Sequence, residues 1–157
     1  FPAQFGDGSL QVTVAAPEVA ELSRRLLREF DFRGFVGIEF KHDARDGTFR
    51  LMEINPRTVS GNELAIRAGV DFPWIGYQYL AGSGTAGPPP AFRVGVTLVN
   101  EEWDVQAFLA LRKSAGLNLR QWFASLRGAR MAIGAWDDPA PLAVGLWRFL
   151  RKAPHLF

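Results

Sequence analysis

The sequence predicts an α+β fold in which an antiparallel sheet is flanked by helices. Three observations carry this expectation. Two alternating runs, FVGIEFKHD and TFRLMEINPR, are joined through DARDG, whose Asp-Gly step suits a hairpin turn. A helical apolar stripe, Val19, Leu22, Leu26, Leu27 and Phe30, precedes the hairpin, with Arg24, Arg25 and Arg28 on the outside. Immediately after it, Ser60 followed by Glu63 is the capping-box pattern that starts a second helix.

Taken in order, FPAQFGDGS is rich in turn residues and reads as a loop, and LQVTVA as a short strand. Pro17 stands where a helix can begin, and Gly34 follows that helix. In the hairpin, strict alternation puts Phe35, Gly37, Glu39, Lys41 and Asp43 on one face of the first strand. It puts Phe49, Leu51, Glu53, Asn55 and Arg57 on one face of the return strand. The helix from Ser60 closes at Gly69, and DFPWIGYQYLAG is a short helix stopped by Gly82. SGTAGPPP reads as a linker. The expected division is therefore a lobe over 1–82, a linker over 83–91 and a small α/β appendage over 92–157. In the appendage FRVGVTLVN is a strand and EEWDVQAFLALRKSAG a helix ending at Gly116. LRQWFASLRG is a short helix, ARMAIGAW a candidate strand, and DDPAPLAVGLWRFLRK a Pro-started helix.

Composition narrows the function. The 157 residues are 48% hydrophobic and 22% charged, which is globular and not disordered. The formal net charge is only +2, and no block of five like charges occurs. The pI near 9.4 thus reflects a small arginine excess and argues for no nucleic acid. There are no cysteines, so disulfides and thiolate metal sites are excluded. No apolar run approaches the roughly 18 residues of a membrane span. A cytoplasmic location is expected. The chain starts at Phe1 without a leader pattern and reads as a piece of a longer polypeptide.

The chemistry concentrates in LMEINPRTVSGNELAIRAGV. Glu53, Asn55 and Arg57 alternate along an apolar strand, and the hairpin brings Glu39 onto the neighbouring strand. Carboxylate and amide oxygens are what a hard cation such as Mg²⁺ takes, leaving its other positions to water or phosphate. Two carboxylates so close repel unless a cation lies between them. An arginine two residues on can grip phosphate or carboxylate in bidentate fashion.

With these residues in place, GIEFKHD followed by LMEINPRTVSGNELAIRAGVDFPWIGYQYLAG resembles the C-terminal lobe of the ATP-grasp superfamily. The likeness is to the carboxylate–amine ligase type, with carbamoyl-phosphate synthetase large subunit and biotin carboxylase more distant. It covers about Phe1 to Gly82. The resemblance implies Glu39 as the first-strand metal ligand, Glu53 as the bridging ligand and Asn55 as the third. It implies that these residues hold Mg²⁺ (or Mn²⁺) on ATP and that Arg57 faces the acyl-phosphate or substrate side. The implied reaction joins a carboxylate to an amine after ATP phosphorylates the acid. The implied partners are small-molecule acids and amines, and a homodimer is compatible with this reading. The lysines and adenine-gripping linker of the family's other lobe are not in this sequence, so the chain alone is expected to be inactive. The alternative is a non-catalytic remnant that keeps the fold for protein or membrane contact.

Simpler readings stand beside these. Glu39, Glu53 and Asn55 also fit a solvated hairpin face, and Arg57 a surface ion pair with Glu53. Lys41 and Asp43 fit either substrate contact or a hairpin-end ion pair. FGDGS fits a phosphate-touching loop or a plain turn. Ser60, Gly61 and Asn62 fit simple N-capping. Trp74, Tyr77 and Tyr79 are expected in the core, and PLAVGLWRFLRK is expected to dock on its own domain. His42 and His155 have no partner at ligand spacing.

Overall fold

The computed structural model describes residues 6, 8–84, 91–135 and 137–152, with the side chains of 149, 150 and 152 left aside. Its elements are β1 (Leu10–Val12), α1 (Pro17–Glu29), β2 (Gly37–His42), β3 (Phe49–Asn55), α2 (Asn62–Ala68) and α3 (Phe72–Leu80). They continue with β4 (Thr97–Val99), α4 (Glu101–Ala115), α5 (Leu119–Ser125), β5 (Arg130–Met131) and α6 (Ala140–Lys152). This is α+β, and it forms two compact units, 1–13 with 95–157 and 14–94. Most of the expected linker, 85–90, lies outside the described residues.

In the first unit the strand order is β1-β4-β5. β1 runs antiparallel to β4, with Leu10 opposite Val99, and β5 joins β4 in parallel. Thr13 extends the pairing, because its N–H donates to the Val96 carbonyl at 2.9 Å and its carbonyl accepts from Gly95 at 2.8 Å. The buried residues here are Leu98, Val99, Phe108 and Asp104. α4 is well specified: Asn100 accepts from the Trp103 N–H, Glu101, Glu102 and Asp104 face the positive end of the helix dipole, and Gly116 ends it in the left-handed region at φ 68°. α5 begins with a reciprocal capping box between Asn118 and Gln121. α6 packs against α4, as expected for the C-terminal segment.

In the second unit β2 and β3 form a two-stranded antiparallel sheet. α1 starts at Pro17, whose fixed φ suits a first helical turn. Its stripe residues Val19, Leu22, Leu26 and Leu27 are half-buried, while Phe30 is exposed. α3 approaches the segment before β2 closely: a Cβ on Gly76 would lie 2.5 Å from the Phe35 ring. Phe35 in turn meets Phe72 edge to face, with centroids 6.2 Å apart.

Three expectations are corrected. Ser60 caps nothing: α2 starts at Asn62, its N-cap is Gly61, and no side chain caps it. Glu63 pairs instead with Arg67, one turn on, at 2.7 Å. Trp74, Tyr77 and Tyr79 are 54, 62 and 71% exposed and not core. α3 is apolar on most sides, so covering the side at Phe35 leaves these rings outside, where Trp74 and Tyr77 stack on each other at 5.5 Å. The alternation of β3 also changes phase midway, which bears directly on the site.

Candidate functional site

The hairpin register sets the site. Gly37 lies opposite Asn55, Ile38 opposite Ile54, and Glu39 opposite Glu53. The next pairs are Phe40 with Leu51, Lys41 with Arg50, and His42 with Phe49. Met52 is therefore an extra residue, a β-bulge between the Glu39 and Phe40 positions. Directly opposed residues share a face, so the bulge turns Phe49 and Leu51 away from Glu53 and brings Arg50 to it. This corrects the expected grouping of Phe49 and Leu51 with Glu53 and Asn55. One face carries Ile38, Phe40, His42, Phe49, Leu51 and Ile54, and the His42 and Phe49 rings lie 5.1 Å apart. The other carries Gly37, Glu39, Lys41, Arg50, Glu53 and Asn55.

On this polar face Glu39 and Glu53 are direct cross-strand partners. Both are exposed, and neither carboxylate forms an ion pair or hydrogen bond among the described residues. Like charges directly opposite destabilise a ladder, typically by a few tenths to about 1 kcal/mol. Asn55 beside them is half-buried. These two carboxylates and one amide fit a hard divalent cation, which would remove the repulsion and use oxygen donors only. Among the described residues no three His, Cys, Asp or Glu side chains converge as a metal cluster. The set rests on the carboxylate pair and the amide.

The chain after β3 folds back over this same face. A Cβ on Gly37 would meet Val59 Cγ1 at 2.5 Å, so only glycine lets Val59 sit on β2 there. The turn is tight: the Arg57 N–H donates to the Asn55 carbonyl at 2.7 Å. Arg57 is exposed, and its Nη1 donates to the Thr58 carbonyl at 3.0 Å. It makes no ion pair with Glu53, so the surface-pair reading of Arg57 has no support in the structure.

The hairpin tip is a separate electrostatic knot. Asp43 accepts from Arg45 Nε at 2.9 Å and from Arg45 Nη2 at 2.6 Å, and Arg50 Nε lies 3.6 Å from it. The Arg45 guanidinium, with the Arg45 backbone N–H, lowers the Asp43 carboxyl from its ordinary 3.8 to about 2. Asp43 in turn raises the Arg45 guanidinium. Asp46 accepts from the Thr48 hydroxyl at 2.7 Å and from Arg50 Nη2 at 2.6 Å, and these hydrogen bonds, Thr48 first, hold it below the ordinary carboxylate range. For Asp43 the hairpin-end ion pair is thus what forms. Lys41 has no ion-pair partner among the described residues.

Elsewhere, the FGDGS loop falls partly outside the described residues. Its Ser9 hydroxyl donates to Asp104 Oδ1 at 2.8 Å, which ties that residue to the fold of the first unit. Alternation alone misses Arg50 as a member of the charged face. The signal that finds it is the adjacent apolar pair Leu51-Met52, where the period-two pattern slips by one.

With this geometry in hand, residues 4–102 match a family model described as "ATP-grasp in the biosynthetic pathway with Ter operon". The match covers well over half of the chain and includes the whole hairpin unit. No curated protein and no solved structure matches the chain.

Proposed function

We propose a function from one premise: the chain belongs to the ATP-grasp family, whose members are usually ATP-dependent ligases. The proposed activity is ligation of a carboxylate to an amine. A carboxylate oxygen attacks the γ-phosphorus of ATP, ADP leaves, and an acyl phosphate forms. The amine nitrogen then attacks the acyl carbon, the C–N bond forms, inorganic phosphate leaves, and the nitrogen gives up a proton. The observation that carries this reading is the Glu39–Glu53 pair, like-charged, directly opposed and without an ion-pair partner among the described residues, beside Asn55.

In this reading Glu39, Glu53 and Asn55 hold Mg²⁺ or Mn²⁺. The cation, when bound, neutralises charge on the phosphates and on the phosphoryl group in transfer. Arg57, carried by the fold-back over Gly37 and without an acidic partner among the described residues, offers its guanidinium to the acyl phosphate or the acid. Such groups act by positioning and by fixed charge, not by covalent chemistry of their own.

The test is Mg²⁺-dependent ADP release by the full-length protein with panels of acids and amines, beside Glu53→Ala. Loss of release by about a hundredfold or more in the variant is expected, in line with the loss of a principal electrostatic stabiliser. A variant that keeps full release sinks the metal assignment. A wild-type protein that binds no nucleotide sinks the ligase reading in favour of a contact module.

A further inference from the structure

Directly beside the acidic pair, the polar face carries a second like-charged pair of opposite sign. Lys41 lies opposite Arg50, two positions along β2 from Glu39. At the rise of a strand this is roughly 7 Å. The cation pair and the acidic pair share this face only because Met52 is bulged out between them; without the bulge the two pairs would not both form on it.

The charges at the tip do not cancel. Asp43 and Asp46 are engaged by Arg45 and Arg50, two acids against two arginines, which leaves the Lys41 ammonium as the surplus charge. Residues Lys41 to Arg45, with Arg50, line an open depression of about 700 Å³. A ladder with a carboxylate pair at one step and the surplus Lys41 ammonium at the next suits a ligand that brings a metal ion to the first and an oxyanion to the second.

We propose that Lys41 binds a phosphate oxyanion of the metal–nucleotide held at Glu39 and Glu53. This rests on the metal reading above and names a contact that reading does not contain. Arg50 is not assigned to the oxyanion, since its guanidinium is held by Asp46 and Asp43. An oxyanion at this step could come from the nucleotide or from the acid substrate; the step from a metal-binding pair to a cation pair on one continuous face favours the nucleotide, whose phosphates the metal already engages.

The experiment is titration of the full-length protein with ADP, AMP and adenosine, with and without Mg²⁺, for wild type, Lys41→Met, Lys41→Arg and Glu53→Gln. Lys41→Met is expected to weaken ADP by about tenfold, the usual effect of losing a hydrogen bond to a charged group. Adenosine binding is expected to stay unchanged, and Lys41→Arg to restore most of the loss. The fractional loss for ADP should persist without Mg²⁺, whereas Glu53→Gln should abolish the Mg²⁺ dependence. Wild-type ADP affinity in Lys41→Met overturns the proposal, as does an equal loss for adenosine. So does a Lys41→Met defect confined to the acid substrate in ADP-release assays, which assigns the oxyanion to the acid. Failure of the metal reading shows separately, as Mg²⁺ dependence that survives in Glu53→Gln.

Discussion

Asp104 in the first unit and Glu39 with Glu53 in the second place carboxylates in opposite circumstances. Asp104 is 7% exposed, and its two oxygens accept from Ser9 Oγ at 2.8 Å and Trp122 Nε1 at 2.6 Å. Trp122 stacks on the buried Phe108 at 4.5 Å, so the carboxylate ties the start of β1 and the α5 helix to the core. Glu39 and Glu53 are exposed, face each other, and have no partner among the described residues. A carboxylate buried for the fold must be satisfied by the fold, because an unpaired buried charge is costly. A carboxylate kept for a cation must be left unsatisfied and near water. The difference separates structural acids from candidate ligands without reference to sequence motifs.

That contrast can be broken in several ways. The largest effect is expected at Asp104. Asp104→Ala removes two charge-assisted hydrogen bonds and leaves the Trp122 N–H unpaired, so a loss of about 3 kcal/mol is expected in urea unfolding. A loss within 0.5 kcal/mol, the ordinary range for a surface substitution, would deny Asp104 its structural role. Next is Gly37→Ala, where the added methyl meets Val59 Cγ1 at 2.5 Å. It should cost about 1–3 kcal/mol as overpacking and displace the segment that carries Arg57; a neutral result would mean the fold-back over β2 is not fixed. The smallest effect is the pH response of the tip. The Asp43 carboxyl is held at about 2 against an ordinary 3.8, chiefly by Arg45. Its folded value is below its unfolded value, so its contribution is fully present above about pH 4 and is lost as pH falls through about 2. Carboxyl NMR titration should show this, and Arg45→Ala should return the midpoint toward 3.8. An Arg45→Ala midpoint unchanged at about 2 would assign the shift elsewhere.

Much of this architecture is legible in the residues. The α1 stripe, the Asp-Gly turn and the glycine stops at Gly69 and Gly116 are local signals, and local signals translate directly into elements. That the hairpin brings Glu39 and Glu53 onto adjacent strands follows from the turn, but counting from the turn alone would put Glu39 opposite Met52; the bulge at Met52 is what makes Glu53 its partner. What fails is what depends on tertiary context. Ser60 and Glu63 have capping-box spacing, yet the helix starts one residue later, with Gly61 as its N-cap, and Glu63 finds Arg67. Trp74, Tyr77 and Tyr79 look like core residues by type, but exposure is decided by what packs on α3, which no single segment encodes. The bulge lies between these cases. Strict alternation puts Leu51 with Glu53, whereas the apolar positions Phe49, Leu51, Met52 and Ile54 already record the slip.

The central claim is that Glu39 and Glu53 are opposed in order to share a divalent cation. Mn²⁺ binding to the full-length protein in the presence of ADP, followed by electron paramagnetic resonance, tests it most directly. Wild type should show bound Mn²⁺, and Glu39→Gln and Glu53→Gln should each weaken it at least about tenfold. Without metal, both variants should be as stable as wild type or slightly more so, since each removes a like-charge pair. Bound Mn²⁺ at wild-type affinity in both variants would contradict the account.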